Sequence, residues 1–211
     1  MTSIKSPWNK GRSVGQRLAF MPDEIRAIDD ILIAQENLHD RCLFMVATDS
    51  FLRCGDLLNL KVRDVLTSTG LVRESFSWRQ QKTNQNVSPV LTRQTREACS
   101  VWIKSADKLA NHYLFTRHKP IDGKPISDTC YRKLVKVWAE FIGLDGDQYS
   151  THSLRRSKPT WLYNQGVSVE DLSQLLGHQS TDATLHYLGL TLAKAQAQAL
   201  KYDIFKPVRK R

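Results

Sequence analysis

Apolar residues recur at three- and four-residue spacing over much of the chain, and each such run has readable ends. Pro22 opens the first, with Asp23 and Glu24 placing negative charge in its first turn. Ile25, Ile28 and Leu32 follow, so an amphipathic helix is expected to about Glu36. A second apolar run at 43–47 ends at Asp49 and Ser50, and helical spacing resumes at Leu57, Leu58 and Leu60 before Val65. Two helices joined over 50–53 fit this pattern. The pattern then changes to short extended runs at 71–78 and 87–91, separated by the polar segment 79–86. A polar turn between two such runs predicts a β-hairpin or small sheet. Helical spacing returns over 92–106, 127–141, 152–164, 169–176, 180–188 and 192–200. Gly166 and Gly177 stand where helices should end, and Ser168 and Ser180 where they should be capped. The fold class is therefore mainly α with a small antiparallel β-sheet (α+β).

Composition narrows what this fold is for. The 211 residues are 41% hydrophobic and 25% charged, enough for one ordinary domain with a real core. No apolar run is long enough to span a bilayer, and the polar N-terminus lacks a secretory apolar stretch, so a cytoplasmic protein with no membrane partner is expected. Cys42, Cys54, Cys99 and Cys130 form no CxxC pair and read as reduced packing residues, with no metal site. Lys and Arg number 31 against 21 Asp and Glu, a net charge of +10 that favours a polyanionic partner such as nucleic acid. The basic residues Lys5, Lys10, Arg12 and Arg17 lie in a polar arm, 1–20, which precedes a domain over 21–205 and a basic tail, 206–211.

Four polar clusters stand out, and each has an ordinary explanation. Arg53, at the mouth of a helix three positions before Asp56, resembles any surface arginine paired with an acid. Lys82 lies in the polar turn, where a solvated lysine is common. His152, Arg155 and Arg156 fall at i, i+3 and i+4 and are expected to share a helix face, with Leu154 turned to the core. Such mutually repelling cations make sense where an anion sits over them, and phosphate matches the guanidinium fork. His178 follows a helix-ending glycine, and Tyr187 lies in the next helix, where a tyrosine is usually a core edge.

Taken in order, Arg53, Lys82, His152, Arg155, His178 and Tyr187 resemble the catalytic set of the tyrosine recombinase (phage integrase) family. The pattern is an arginine, a hairpin lysine, His-x-x-Arg, a histidine in Leu-Gly-His, and a tyrosine nine positions later. The likeness extends over about residues 20 to 200 and implies the tyrosine recombinase catalytic-domain fold. It further implies a site-specific DNA recombinase that cleaves and rejoins strands through a covalent 3′-phosphotyrosyl intermediate, without ATP or metal. Tyr187 would be the nucleophile and Lys82 the acid that protonates the departing 5′ oxygen, while His152 would accept the tyrosine proton. Arg53, Arg155 and His178 would hold the non-bridging oxygens as charge grows on them. Neighbouring cations should favour the phenolate of Tyr187, and Asp56 should tether local structure and orient Arg53.

No cofactor is expected, since two guanidinium groups can replace a metal and no GxxxxGK[ST] loop is present. The implied partners are double-stranded DNA, contacted also by Lys5, Lys10, Arg12, Arg17 and Arg156, and further copies of the chain as a homotetramer in the synapse. The free protein should be a monomer or weak oligomer associated with the nucleoid, with no small-molecule substrate. The family's additional N-terminal DNA-binding domain has no counterpart in the first 20 residues. Cys54 and the pair Lys158-Pro159 depart from the pattern, and Pro159 should kink its helix. A catalytically silent DNA-binding accessory protein and a type IB topoisomerase-like strand relaxer are the alternatives, which the complete residue set and the lack of DNA-encircling domains respectively disfavour.

Overall fold

The computed structural model describes residues 17–116 and 123–190, together with Gln196 and Leu200. Helix α1, Pro22–Ala34, starts at the expected proline and buries Ile28 and Leu32. Its first turn closes when the Met21 amide donates to the Glu24 carboxylate at 2.7 Å. Helix α2, Leu38–Ser50, is capped by Asn37 and carries the centre of the core through Cys42, Leu43, Phe44, Val46 and Ala47. Where one further helix was expected, the chain forms two short ones, α3, Cys54–Leu58, and α4, Val62–Val65. The break has a local cause: the Leu60 carbonyl accepts the Leu114 amide at 2.8 Å, and the Val62 amide donates to His112 at 3.0 Å. Those strand-like bonds pull the backbone out of helical geometry between α3 and α4.

The hairpin is present but sparsely laddered. Strands β1, Trp78–Arg79, and β2, Asn86–Val87, pair antiparallel with Trp78 opposite Val87, and a separate bridge joins Ser75 to Val90. Pro89 has no N–H to extend the ladder, which shortens the runs expected over 71–78 and 87–91. Helices α5, Arg93–Ser105, α6, Asp128–Phe141, α7, Thr151–Asn164, α8, Val169–Leu176, and α9, Thr181–Leu188, then follow. Ser168 and Ser180 cap α8 and α9 as expected, accepting from Asp171 and Ala183 amides at 3.0 and 3.2 Å. Pro159 lies inside α7, which continues to Asn164. Among the described residues no helix is long and apolar enough to cross a membrane.

Helices α5 and α7 pack on α2, and one polar cluster pins all three together. Asp49 on α2 accepts from Lys158 of α7 at 2.7 Å and from the Thr92 and Thr95 hydroxyls at 2.7 and 2.6 Å. This gives the unusual Lys158 a structural role. Burial alone would raise the Asp49 pKa, but Lys158 and the threonine hydroxyls outweigh it and hold the carboxyl below its usual value. A carboxylate depressed in the fold stabilises above the ordinary aspartate range, and that contribution is lost as pH falls through the folded pKa, below about 4. Asp49→Asn should cost about 3 kcal/mol in urea unfolding at pH 7, because it strands the half-buried Lys158, and should flatten the acid limb of stability. An unchanged acid limb would count against this assignment.

Residues 17–20, read from sequence as the end of an arm, are fastened to the domain. Phe20 is buried, stacks on Tyr149 at 4.3 Å between ring centroids, and donates its amide to Ser157 Oγ at 2.9 Å. Lys5, Lys10, Arg12 and the tail 206–211 lie outside the described residues, as does the helix expected over 192–200 but for Gln196 and Leu200. The four cysteines are free thiols. Cys42 and Cys99 are buried with their sulfurs 3.2 Å apart, whereas Cys130 is exposed and so not the packing residue expected.

Candidate active site

Two chain reversals bring distant segments together. Phe51 ends α2 in the left-handed region, φ 55°, a conformation that costs a non-glycine residue about 1 kcal/mol. That turn aims the Phe51 carbonyl at Arg155, whose Nε donates to it at 2.6 Å. Gly177 ends α8, also left-handed at φ 63°, and leaves the Leu176 carbonyl accepting from Arg155 Nη2 at 2.9 Å. Arg155 thus lies buried between two carbonyls, and its burial lowers the guanidinium pKa to about 10, so it remains a cation at neutral pH.

Glycine is required at 177 for space as well as for φ. A Cβ there would stand 2.5 Å from Val87 Cγ1 and 2.9 Å from Gln80 Nε2. Gly177→Ala is therefore expected to destabilise the fold by about 2 kcal/mol in urea titration, combining the left-handed penalty with the clash. A change within experimental error would refute the close approach.

Tyr187, on α9, lies within this group. Its ring centre is 5.5 Å from the Arg155 guanidinium and 5.7 Å from that of Arg156, and the His178 ring meets it edge-on at 5.3 Å. Burial pushes the phenol up to about 12, outweighing the pull of Arg155, Arg156 and Arg53. The three neighbouring cations favour the phenolate as expected, but removal from water costs the anion more than they return, so the resting form is the phenol. His178 pairs through Nδ1 with Thr184 Oγ1 at 2.8 Å, and burial followed by the Arg155 and Arg53 charges lowers its pKa to about 4. It is neutral at pH 7.

Arg53 caps the start of α3 with extended backbone, and its guanidinium donates to Gln80 Oε1. Lys82 is exposed in the hairpin turn, near enough to His152 for its charge to act there. His152 is exposed near the start of α7. Its pKa is lowered first by the protein packed around it and then by Arg155, Lys82, Arg53 and Arg132. Of the six residues singled out in sequence, these contacts and charges join Arg53, His152, Arg155, His178 and Tyr187 directly, with Lys82 beside His152.

Two expected DNA contacts are engaged within the chain itself. Arg156 is buried and donates to the Arg17 carbonyl, an intramolecular contact where one to DNA was expected. Arg155 and Arg156 are both buried beside the Tyr187 ring while His152 is exposed, so the three do not form one outward face. Arg17 is exposed, but its guanidinium donates to the Asp147 carbonyl. Asp56 is buried and tethers local structure as expected, accepting from Trp78 Nε1 at 3.1 Å and the Gln81 amide at 2.9 Å, and it acts on Arg53 through its charge. Gln80, Thr184 and Arg132 went unnoticed in sequence. All three are polar residues of common kinds, with nothing in spacing to mark them.

Arg53, Arg155 and Lys82 carry fixed positive charge around one tyrosine and two imidazoles. Such a site can hold a phosphodiester and move protons at its esterified oxygens. Among the described residues no group of three or more His, Cys, Asp or Glu is placed to hold a metal ion.

Fold and site together define a tyrosine recombinase catalytic domain. The chain belongs to the phage integrase family, whose family model matches residues 19–193. It is 25% identical over 168 residues to the probable integrase/recombinase YoeC of Bacillus subtilis, covering 80% of this chain and 86% of that protein. It is 27% identical to the tyrosine recombinase XerA of Saccharolobus solfataricus, covering 84% of this chain but 57% of the relative. Among solved structures, the site-specific recombinase XerH bound to its palindromic difH substrate, a post-cleavage complex, superposes with a TM-score of 0.68 at 19% identity. That match covers 88% of this chain and 53% of XerH, so the chain spans about half of the longer protein.

Proposed function

We propose that this chain cleaves and rejoins double-stranded DNA at particular sites through a 3′-phosphotyrosyl intermediate. The observation that carries the reading is Tyr187 lying against Arg155 and His178, supplied by its own chain. The Tyr187 oxygen attacks phosphorus, the P–O5′ bond breaks, the tyrosine proton passes to His152, and Lys82 gives a proton to the departing O5′. Arg53 and Arg155 balance charge on the non-bridging oxygens. His178 contributes an Nε2–H when Thr184 donates its hydroxyl proton to Nδ1. The phosphotyrosyl bond conserves the energy of the broken ester, so a 5′-hydroxyl can reseal the strand without ATP.

Because the guanidinium groups supply the charge, cleavage should persist in EDTA. Assembly of four copies around paired sites, work at the nucleoid, and DNA as the partner extend the same reading. The XerH complex supports DNA as the partner.

The decisive test is a nicked duplex that traps covalent protein, selected from a randomised pool and scored on a denaturing gel. Absence of any adduct would overturn the proposal. With His152 as base, the single-turnover rate should fall on acidification with a midpoint below the usual imidazole value of 6.5. A midpoint above 7 would remove His152 from that role, since imidazole bases titrate at about 6.5 unless perturbed.

A further inference from the structure

The residue two positions before Lys82 makes more site contacts than a turn residue needs. Gln80 is 1% exposed, and both ends of its carboxamide are used. Its Oε1 accepts from Arg53 and from Thr83 Oγ1 at 2.7 Å, while Nε2 donates to the Leu176 carbonyl at 3.0 Å. That carbonyl also accepts from Arg155. The Gln80 backbone closes the turn itself, its amide donating to Gln85 and its carbonyl accepting from Asn84, both at 2.9 Å. One buried amide thus joins the first arginine, the lysine turn and the bend that precedes His178.

We infer that Gln80 is a positioning residue that holds Arg53, the Lys82 turn and the Leu176–His178 bend in a single arrangement. The inference rests on the recombinase reading for its catalytic meaning, although the hydrogen bonds stand without it. A carboxamide suits the position because it is neutral and offers an acceptor to a cation and a donor to a carbonyl together. Leucine offers neither. Glutamate keeps the acceptor for Arg53 and Thr83 but sets a carboxylate against the Leu176 carbonyl.

Two measurements test it. In the free protein, Gln80→Leu should speed amide hydrogen exchange about tenfold at Asn84, Gly177 and His178 with α2 unchanged, whereas Gln80→Glu should do so only at Gly177 and His178. Wild-type exchange at these amides in both variants would overturn the inference whether or not any DNA is cleaved. On the trapped duplex, Gln80→Leu should slow cleavage about 100-fold, the scale of a misplaced catalytic group. Sulfur in place of the bridging 5′ oxygen leaves without protonation, so the deficit should shrink to about tenfold, the part carried by Arg53. Equal deficits on both substrates would overturn the link to Lys82, and full activity on both would overturn the whole. Should Gln80→Leu fail to fold, Gln80→Glu carries the exchange test alone. A wild-type protein that forms no adduct would sink the recombinase reading and leave exchange to decide for Gln80.

Discussion

Tyr187→Phe should form no covalent DNA adduct at any time of incubation, while binding the same duplex as the wild type does. The aromatic ring is held by the guanidinium groups of Arg155 and Arg156 and by the His178 edge, contacts that phenylalanine keeps. Only the attacking oxygen is lost. Since no other hydroxyl among the described residues is placed in this reading to attack phosphorus, the effect is total. A denaturing gel reads the adduct and a mobility shift reads binding. An adduct formed by the phenylalanine protein would remove Tyr187 from its proposed place, and loss of binding would show that the substitution did more than delete an oxygen.

Arg155→Ala should be the next most damaging change. Loss of one donor to a developing oxyanion costs about 3 kcal/mol of barrier, on the order of 100-fold or more in rate. The same substitution leaves the buried Phe51 carbonyl without its donor, which costs about 1–3 kcal/mol of stability. The Leu176 carbonyl keeps Gln80. Arg155→Lys separates the two effects, because an ammonium retains charge but cannot reach both carbonyls and a phosphate with a planar fork. Single-turnover cleavage at saturating protein should fall for both variants, with the lysine protein nearer to wild type in urea unfolding. Wild-type cleavage by Arg155→Ala would end the electrostatic argument.

Much of this was legible beforehand, for physical reasons that differ by element. Helix ends marked by Pro22, Ser168, Gly177 and Ser180 were readable because caps and left-handed turns demand particular residues at single positions. The split between α3 and α4 was not, because it depends on Leu60 and Val62 bonding to residues some fifty positions away, at Leu114 and His112. The order of Arg53, Lys82, His152, Arg155, His178 and Tyr187 showed which side chains would matter, but not where each guanidinium would point. Arg156 looked like a DNA contact since it adjoins Arg155 in sequence, but it donates to the Arg17 carbonyl, a partner 139 positions away that spacing does not show. Gln80 was hidden for the opposite reason: a glutamine in a run of polar residues gives no sign that it will be buried.

The attachment of residues 17–20 carries a mechanical corollary. The Arg17 carbonyl is gripped by Arg156, and Arg156 lies against the ring of Tyr187. Tension on the chain ahead of Arg17 therefore reaches the flank of the reactive phenol through a single intervening side chain. A bulky fusion or a tether joined ahead of Arg17 is a lever on the tyrosine's seat.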